Sequence, residues 1–283
     1  MEWTLPEFFQ FLRDDPELRV LFVEGDHDLS FWRALVPLSD RTNTAVYKIA
    51  SVNVTGVVRS ERGCIMELAR QMFGGEFADR VKFFADADHD RILGRVGPAT
   101  VILTDSRDRE SYVMSHEGMA SVCETGFNKT EEFTRDTVAL VRTILRPVAA
   151  LRVLSERLDK RLPFKRTLNP EGEPGRIRKY FEKKNGVVEL KCDGLIVALI
   201  QNSQLNMSEK GEITAALLDE SVRLQDFDDD QIIHGKDLIG FLSWRLGCSF
   251  EAAQACVNLA LLQLRQVLIA RPNMQLAANW VRG

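Results

Sequence analysis

Short apolar runs that end on acidic residues dominate the first third of the chain and most constrain its fold. The run 19–23 ends at Glu24, and the run 81–85 ends at Asp86. Apolar runs of this length are typical of strands that are buried on both faces of a parallel sheet. Segments with helical periodicity lie between the runs, so we expect strands and helices to alternate in an α/β domain.

Local signals fix several element boundaries in this domain. Thr4 and Glu7 have the spacing of a capping box, which predicts the start of an amphipathic helix. Ser60 is a typical cap for another helix, which Gly74 and Gly75 end. The predicted strands cover 19–24, 45–52, 81–85 and 99–104, and a further helix covers 29–36. In a sheet of this kind, ligands bind beyond the carboxyl ends of the strands.

The sequence after about residue 115 is mostly helical in pattern. The predicted helices cover 130–162, with a kink or break at Pro147, and then 208–223, 236–246 and 249–270, while 187–192 is predicted as a short isolated strand. We therefore predict two domains. Residues 1–115 form the α/β domain, and residues 116–283 form a helical domain that binds nucleic acid, a partner, or both.

Charge is unevenly distributed along the chain, although the net charge is only −4. Residues 142–191 contain fourteen Lys or Arg and six Asp or Glu, which fits either a solvated helical face or a surface that tracks phosphates. Aromatic residues within this stretch, Tyr180 and Phe181, could stack on bases. The candidate nucleic-acid-binding residues are Arg176, Arg178, Lys179, Lys183 and Lys184.

The cysteines and the hydropathy of the chain bear on its location. Five cysteines without a C-x-x-C pair indicate reduced thiols. No signal-peptide pattern and no run of apolar residues long enough for a membrane span occurs in the sequence. We expect a cytoplasmic protein without membrane contact.

The acids at the strand ends are the candidate site. Carboxyl ends of parallel strands meet at one edge, so Glu24, Asp86 and Asp88 are expected to converge there. Side chains two residues apart on an extended segment point the same way, which lets Asp86 and Asp88 face one ion. Hard oxygen ligands suit Mg²⁺, and Mn²⁺ is possible. For single acids such as Asp28, Asp90 or Asp105, a turn or helix cap is the alternative.

The same residues resemble a known family. The segment 21–28, which contains Glu24, and the segment 83–88, which contains Asp86 and Asp88, are similar to the TOPRIM domain of topoisomerases, primases and overcoming-lysogenization-defect nucleases. The resemblance implies a TOPRIM-like fold for residues 1–115 and a metal-handling role for the three acids. It also implies metal-dependent cleavage of nucleic acid, by phosphodiester hydrolysis or transesterification.

Two further motifs resemble a narrower branch of that family. Residues 103–112 and 234–238 are similar to TOPRIM-like proteins encoded beside ABC-type ATPases in anti-phage loci, with the AriB effectors of the PARIS system as the nearest suggestion. This implies an Mg²⁺-dependent effector that cleaves RNA, tRNA in particular, once an ABC-type ATPase partner activates it. Glu110 would be a candidate second-metal ligand, and a homodimer is possible.

Four other interpretations remain open at this level. A DNA endonuclease of the overcoming-lysogenization-defect type would use the same acids. A haloacid-dehalogenase-like phosphatase would use Asp86, Asp88 and Thr104, but it leaves Glu24 without a role. The pairs His27-Asp28 and His89-Asp90 suggest a His/Asp metallophosphohydrolase, although that class carries its ligands on helices. Finally, the chain could be a non-enzymatic scaffold that binds an ATPase, since it has no P-loop of its own.

Overall fold

The computed structural model describes residues 2–54, 60–169, 173–184 and 187–283, without the side chains of 183 and 184. The chain divides into two compact units. The first unit comprises Met1–Ala87, Arg95–Asp105 and Arg265–Gly283, and the second comprises Asp88–Gly94 and Ser106–Leu264. The domain boundary that we predict after residue 115 lies inside the second unit.

Strands and helices alternate in the first third, and helices dominate afterwards. The strands are β1 Trp3–Thr4, β2 Arg19–Val23, β3 Thr44–Lys48, β4 Val52–Asn53, β5 Val81–Ala85, β6 Val101–Leu103, β7 Phe181–Lys184 and β8 Val187–Leu190. The helices are α1 Leu5–Asp14, α2 Asp26–Leu35, α3 Glu61–Met72, α4 His116–Ala120, α5 Glu131–Arg157, α6 Phe164–Leu168, α7 Cys192–Gln201, α8 Lys210–Arg223, α9 Asp229–Ile232, α10 Gly235–Leu246, α11 Phe250–Gln263, α12 Arg265–Ile269 and α13 Pro272–Arg282.

The first unit is built on a four-stranded sheet of order β3-β2-β5-β6 in which all neighbours are parallel. The predicted class, an α/β protein with a parallel sheet followed by a helical region, is confirmed at this level. The apolar runs form strands because their side chains are buried on both faces: Leu21 and Phe22 of β2 are completely buried. The rings of Phe22 and Phe83 stack with centroids 5.7 Å apart.

The local capping signals are confirmed. Thr4 Oγ1 accepts a hydrogen bond from the backbone N–H of Glu7, and the Glu7 carboxylate accepts one in return from the Thr4 N–H at 2.7 Å. Ser60 Oγ accepts a hydrogen bond from Gly63 N at 3.1 Å and caps α3. These elements begin where the sequence predicts because their caps depend on residues three positions apart.

Other boundaries differ from the predictions. The predicted strand 45–52 is divided into β3 and β4 by the short helical turn Ile49–Ser51. β4 pairs with β1 in a separate parallel pair. The predicted helix 249–270 is divided into α11 and α12.

Helix α5 is the longest element of the second unit. It continues through Pro147, so of the predicted kink or break the break does not occur. Val148, Leu151 and Leu154 are buried after the proline, and this packing offsets the hydrogen bond that a proline cannot donate. Arginines of the same helix bind buried acids of α8, α9 and α10, which accounts for part of the basic excess in residues 142–191.

The strand predicted at 187–192 is not isolated. β8 pairs antiparallel with β7, with Phe181 opposite Leu190. Phe181 packs on Trp244 with ring centroids 4.9 Å apart, so the hairpin is anchored to α10. Among the described helices, none combines the length and apolar character that a membrane span requires.

Candidate active site

Two neighbouring strands carry the first two candidate acids of the site. β2 and β5 are parallel, and Val23 lies opposite Phe84. Glu24 follows β2 directly, and Asp86 follows β5 directly. Because both strands run in the same direction, their acids lie at the same edge of the sheet.

A short hydrogen bond joins these two acidic positions. The backbone N–H of Asp86 donates to Glu24 Oε1 at 2.9 Å. Both residues are half-buried. This bond fixes the orientation of one Glu24 oxygen and places the Glu24 carboxylate at the start of the segment that follows β5.

Thr104 holds the same segment from the other side. Its backbone N–H donates to Ala85 O at 2.9 Å, and its hydroxyl accepts a hydrogen bond from Ala87 N at 2.8 Å. Thr104 is completely buried. From the sequence, Thr104 has a role only in the phosphatase interpretation; in the structure, its hydroxyl holds the segment after β5 next to β6.

Asp28 and Asp105 act as caps, as the alternative for single acids predicted. Asp28 Oδ2 accepts a hydrogen bond from Gly25 N at 3.0 Å at the start of α2. Asp105 accepts hydrogen bonds from Asn273 N at 2.9 Å and Met274 N at 3.1 Å, both in the first turn of α13. A carboxylate at a helix N-terminus is stabilised by these N–H groups and by the helix dipole.

Asp88 belongs to the second unit. Its φ of 46° lies in the left-handed region, so the extended geometry that we expected from Asp86 to Asp88 does not continue through Asp88. Its backbone N–H donates to Arg107 O at 2.8 Å, and its Oδ1 lies 3.9 Å from Arg107 Nη2. Within one unit, the structure therefore brings together Glu24 and Asp86.

Glu110 also lies in the second unit. Arg109 Nη2 contacts Glu110 Oε1 at 2.5 Å. A Cβ on Gly235 would lie only 2.5 Å from Glu110 Cβ, so only glycine fits at that position. In this arrangement the Glu110 carboxylate is paired with the neighbouring arginine.

Asp108 is a buried acid that no sequence pattern indicated as a site residue. It accepts hydrogen bonds from Ser111 N at 3.0 Å, Ser111 Oγ at 2.5 Å and Gly235 N at 2.8 Å. Burial and the nearby carboxylate of Glu110 raise the pKa of Asp108 above its ordinary value. The two motifs at 103–112 and 234–238 therefore meet around this residue, although they are more than a hundred residues apart.

His89 is held inside the second unit. Its Nδ1 lies 2.5 Å from Glu156 Oε1, and burial lowers the pKa of its imidazole. The other histidine of the His/Asp interpretation, His27, is exposed in the first turn of α2.

Two of the candidate nucleic-acid-binding residues are paired with a glutamate of the same segment. Arg176 and Lys179 both bind Glu173, with Lys179 Nζ 2.9 Å from Glu173 Oε1, and these bonds lower the pKa of Glu173 to about 2. Arg178 is exposed on the same turn. Lys183 and Lys184 lie on β7, but their side chains are outside the described part of the structure.

The donor chemistry at the sheet edge fits a magnesium ion. Across residues 2–54, 60–169, 173–184 and 187–283, no three His, Cys, Asp or Glu side chains are arranged around a common point for a metal. Mg²⁺ is commonly held by only one or two protein carboxylates, with water and substrate phosphate as the remaining ligands. Glu24 and Asp86 meet that requirement at the edge where a parallel sheet binds its ligands.

Comparison with known proteins adds no family assignment. A scan against protein-family models found no match, and a search of curated proteins found none either.

Proposed function

We propose that this chain is a TOPRIM-like, Mg²⁺-dependent nuclease, and that it serves as the effector of an anti-phage system. The observation that supports the proposal most is the adjacency of Glu24 and Asp86 after two neighbouring parallel strands, joined by a 2.9 Å hydrogen bond. In chain order, β2 and β5 are the first and third strands of the four-stranded sheet. Acids after these two strands are what the TOPRIM resemblance requires.

The chemistry follows from the carboxylates. Glu24 and Asp86 would hold the ion. The ion supplies neutralisation of phosphate charge. Glu24 orients the attacking water or accepts its proton. On RNA the 2′-hydroxyl is an alternative nucleophile, which would leave a cyclic phosphate.

Activation by a separate ATPase is the regulatory part of the proposal. The chain has no G-x-x-x-x-G-K-[ST] motif, so ATP hydrolysis through a P-loop must come from another subunit. The motifs at 103–112 and 234–238, which suggested the AriB-like branch, form one buried cluster around Asp108. RNA, and tRNA in particular, is the favoured substrate.

The first experiment measures metal binding, because it does not depend on activation. We expect Mn²⁺, followed by electron paramagnetic resonance, to bind the wild-type chain about tenfold or more tightly than the Glu24→Gln and Asp86→Asn variants. Glu17→Gln is the matched control, since Glu17 is exposed and precedes the other end of β2. Equal Mn²⁺ affinity in all four proteins would contradict the proposed site.

The second experiment measures cleavage. Total tRNA and plasmid DNA are incubated with Mg²⁺ and each protein, with and without its ABC-type ATPase partner, and the products are resolved on gels. Glu24→Gln should lower the rate by at least about 100-fold, while Glu17→Gln should leave it unchanged. Cleavage of DNA alone would favour the endonuclease alternative, and a phosphorylated Asp86 trapped from a phosphate ester would favour the phosphatase.

A further inference from the structure

The outer side of β3 has no strand partner among the described residues. β3 is the end strand of the sheet. Asn43 O accepts a hydrogen bond from Arg19 N at 2.8 Å, so alternate residues from 43 onward face β2. The backbone groups of Thr44, Val46 and Lys48 therefore point away from β2. Thr44 and Val46 are only 5% and 4% exposed, so they lie in a recess and not on a raised edge. Such an edge is a template for pairing with another chain.

A groove runs along this edge. Its volume is about 630 Å³, which is within the range of ligand-binding clefts. Residues 43–47 form one side of the groove, and Leu18, Leu38, Arg33 and Arg41 complete its lining. Leu38 is 78% exposed. The groove thus combines an unpaired strand edge with apolar side chains and two cations.

The two arginines make the groove electropositive. Arg41 Nε donates to Val36 O at 2.7 Å, which fixes the guanidinium at the carboxyl end of α2. Arg33 lies in the last turn of α2 and is exposed. Among the described residues, neither arginine has a carboxylate at ion-pair distance. Burial and the charge of Arg33 lower the pKa of Arg41. A bound anion would relieve this repulsion.

We propose that this groove docks an extended acidic segment of a protein partner, which adds to the sheet as a strand beside β3. Carboxylates of the segment pair with Arg33 and Arg41, and its aliphatic side chains cover Leu18 and Leu38. Strand addition gives affinity through main-chain hydrogen bonds and selectivity through alternate side chains. The inference goes beyond the proposed nuclease activity and does not depend on it.

Two other occupants fit the groove less well. A second copy that paired β3 with β3 about a two-fold axis would bring like-charged arginines of both copies to one edge, which is unfavourable. A nucleic acid would use the arginines but would leave the strand edge unpaired and bury the leucines against phosphate and sugar. An acidic peptide uses every part of the groove.

The test uses fluorescence anisotropy with labelled octapeptides and the full-length chain. The probe alternates glutamate and valine; one control peptide alternates lysine and valine, and another carries N-methyl groups at alternate residues. We expect each control peptide to bind about tenfold or more weakly than the probe. Since N-methylation blocks hydrogen-bond donation without changing the protein, equal binding of that control would overturn strand addition.

Variants of the chain locate the binding. Arg33→Glu should weaken binding of the probe about tenfold. Arg70→Glu should not, because Arg70 is exposed and lies two residues before the end of α3, as Arg33 does in α2, but it does not line the groove. Glu24→Gln should bind like wild type, which separates this inference from the nuclease proposal. No binding of the probe, or unchanged binding in Arg33→Glu, would overturn it. Tighter binding of labelled octauridylate that Arg33→Glu abolishes would assign the groove to nucleic acid instead.

Discussion

Acidic residues occupy different environments in the two units. At the sheet edge of the first unit, Glu24 and Asp86 are half-buried, and a backbone N–H binds Glu24. In the second unit, Glu220, Asp229 and Asp237 are at least nine-tenths buried, and arginines of α5 bind all three.

The acids of the second unit hold helices together, whereas the acids at the sheet edge of the first unit could bind a ligand. A buried carboxylate is costly unless a cation and hydrogen bonds compensate for the lost water. The acids of the second unit therefore depend on α5 for their stability. A half-buried carboxylate at a sheet edge has no such requirement, so its effect on stability and its effect on function can be measured separately.

The largest effect on stability is expected when an arginine of α5 is replaced. Arg152 forms a two-pronged pair with Asp237, at 2.7 and 2.9 Å, and Asp237 is 2% exposed. Arg152→Met leaves that carboxylate buried without its cation. We expect the free energy of unfolding to fall by about 3–5 kcal/mol, measured by chemical denaturation.

Arg161→Met is the matched control for that measurement. Arg161 pairs with Asp159, and both side chains are more than four-fifths exposed. Its loss should change the free energy of unfolding by at most about 1 kcal/mol. Similar losses in the two variants would show that burial does not distinguish these ion pairs.

The sequence predicted the elements whose signals are local. β5 is predicted with its observed bounds because all of its residues are apolar except Lys82. The capping box at Thr4 and the cap at Ser60 are local signals of the same kind. Pro147 is the opposite case: its own chemistry favours a break, but the buried residues around it keep α5 continuous.

Long-range partners could not be predicted from one sequence. Asp105 was recognised as a possible cap, but its helix, α13, begins more than 160 residues later. β7 contains a glutamate and two lysines, so its composition gives only a weak strand signal. At the candidate site, the acids after β2 and β5 were recognisable, but the left-handed backbone at Asp88 was not, because aspartate also adopts ordinary extended backbone.

A smaller effect should come from the neutral histidine of the buried cluster. His234 Nδ1 accepts a hydrogen bond from Lys236 N at 3.0 Å and caps α10. Burial lowers the pKa of His234 well below 6.5, with Arg107, Arg152 and Lys236 adding positive charge and Asp108 lying 3.9 Å away. The unfolded chain binds the proton of His234 more readily than the folded chain does. The contribution of the neutral histidine to the free energy of unfolding is therefore fully present above pH 6.5 and decreases as the pH falls below it.

His234→Asn isolates this dependence, since asparagine retains a capping oxygen. Between pH 7.5 and 5.5, the wild-type chain should lose on the order of 1 kcal/mol more of its unfolding free energy than the variant does. Denaturant titrations at several pH values measure the difference. Parallel pH profiles for the two proteins would mean that protonation of His234 does not affect folding.

The smallest effect on stability is expected for a substitution at the sheet edge, at Glu24. In Glu24→Gln, the side-chain carbonyl can still accept the hydrogen bond from Asp86 N. The free energy of unfolding should therefore change by less than about 1 kcal/mol, in the same denaturation assay as for Arg152→Met. If Glu24→Gln instead lost as much stability as Arg152→Met, Glu24 would be a packing residue like the acids of the second unit. A stable variant that has lost Mn²⁺ binding would assign the carboxylate of Glu24 to the metal, because the acceptor for Asp86 N is retained while the charge and one carboxylate oxygen are removed.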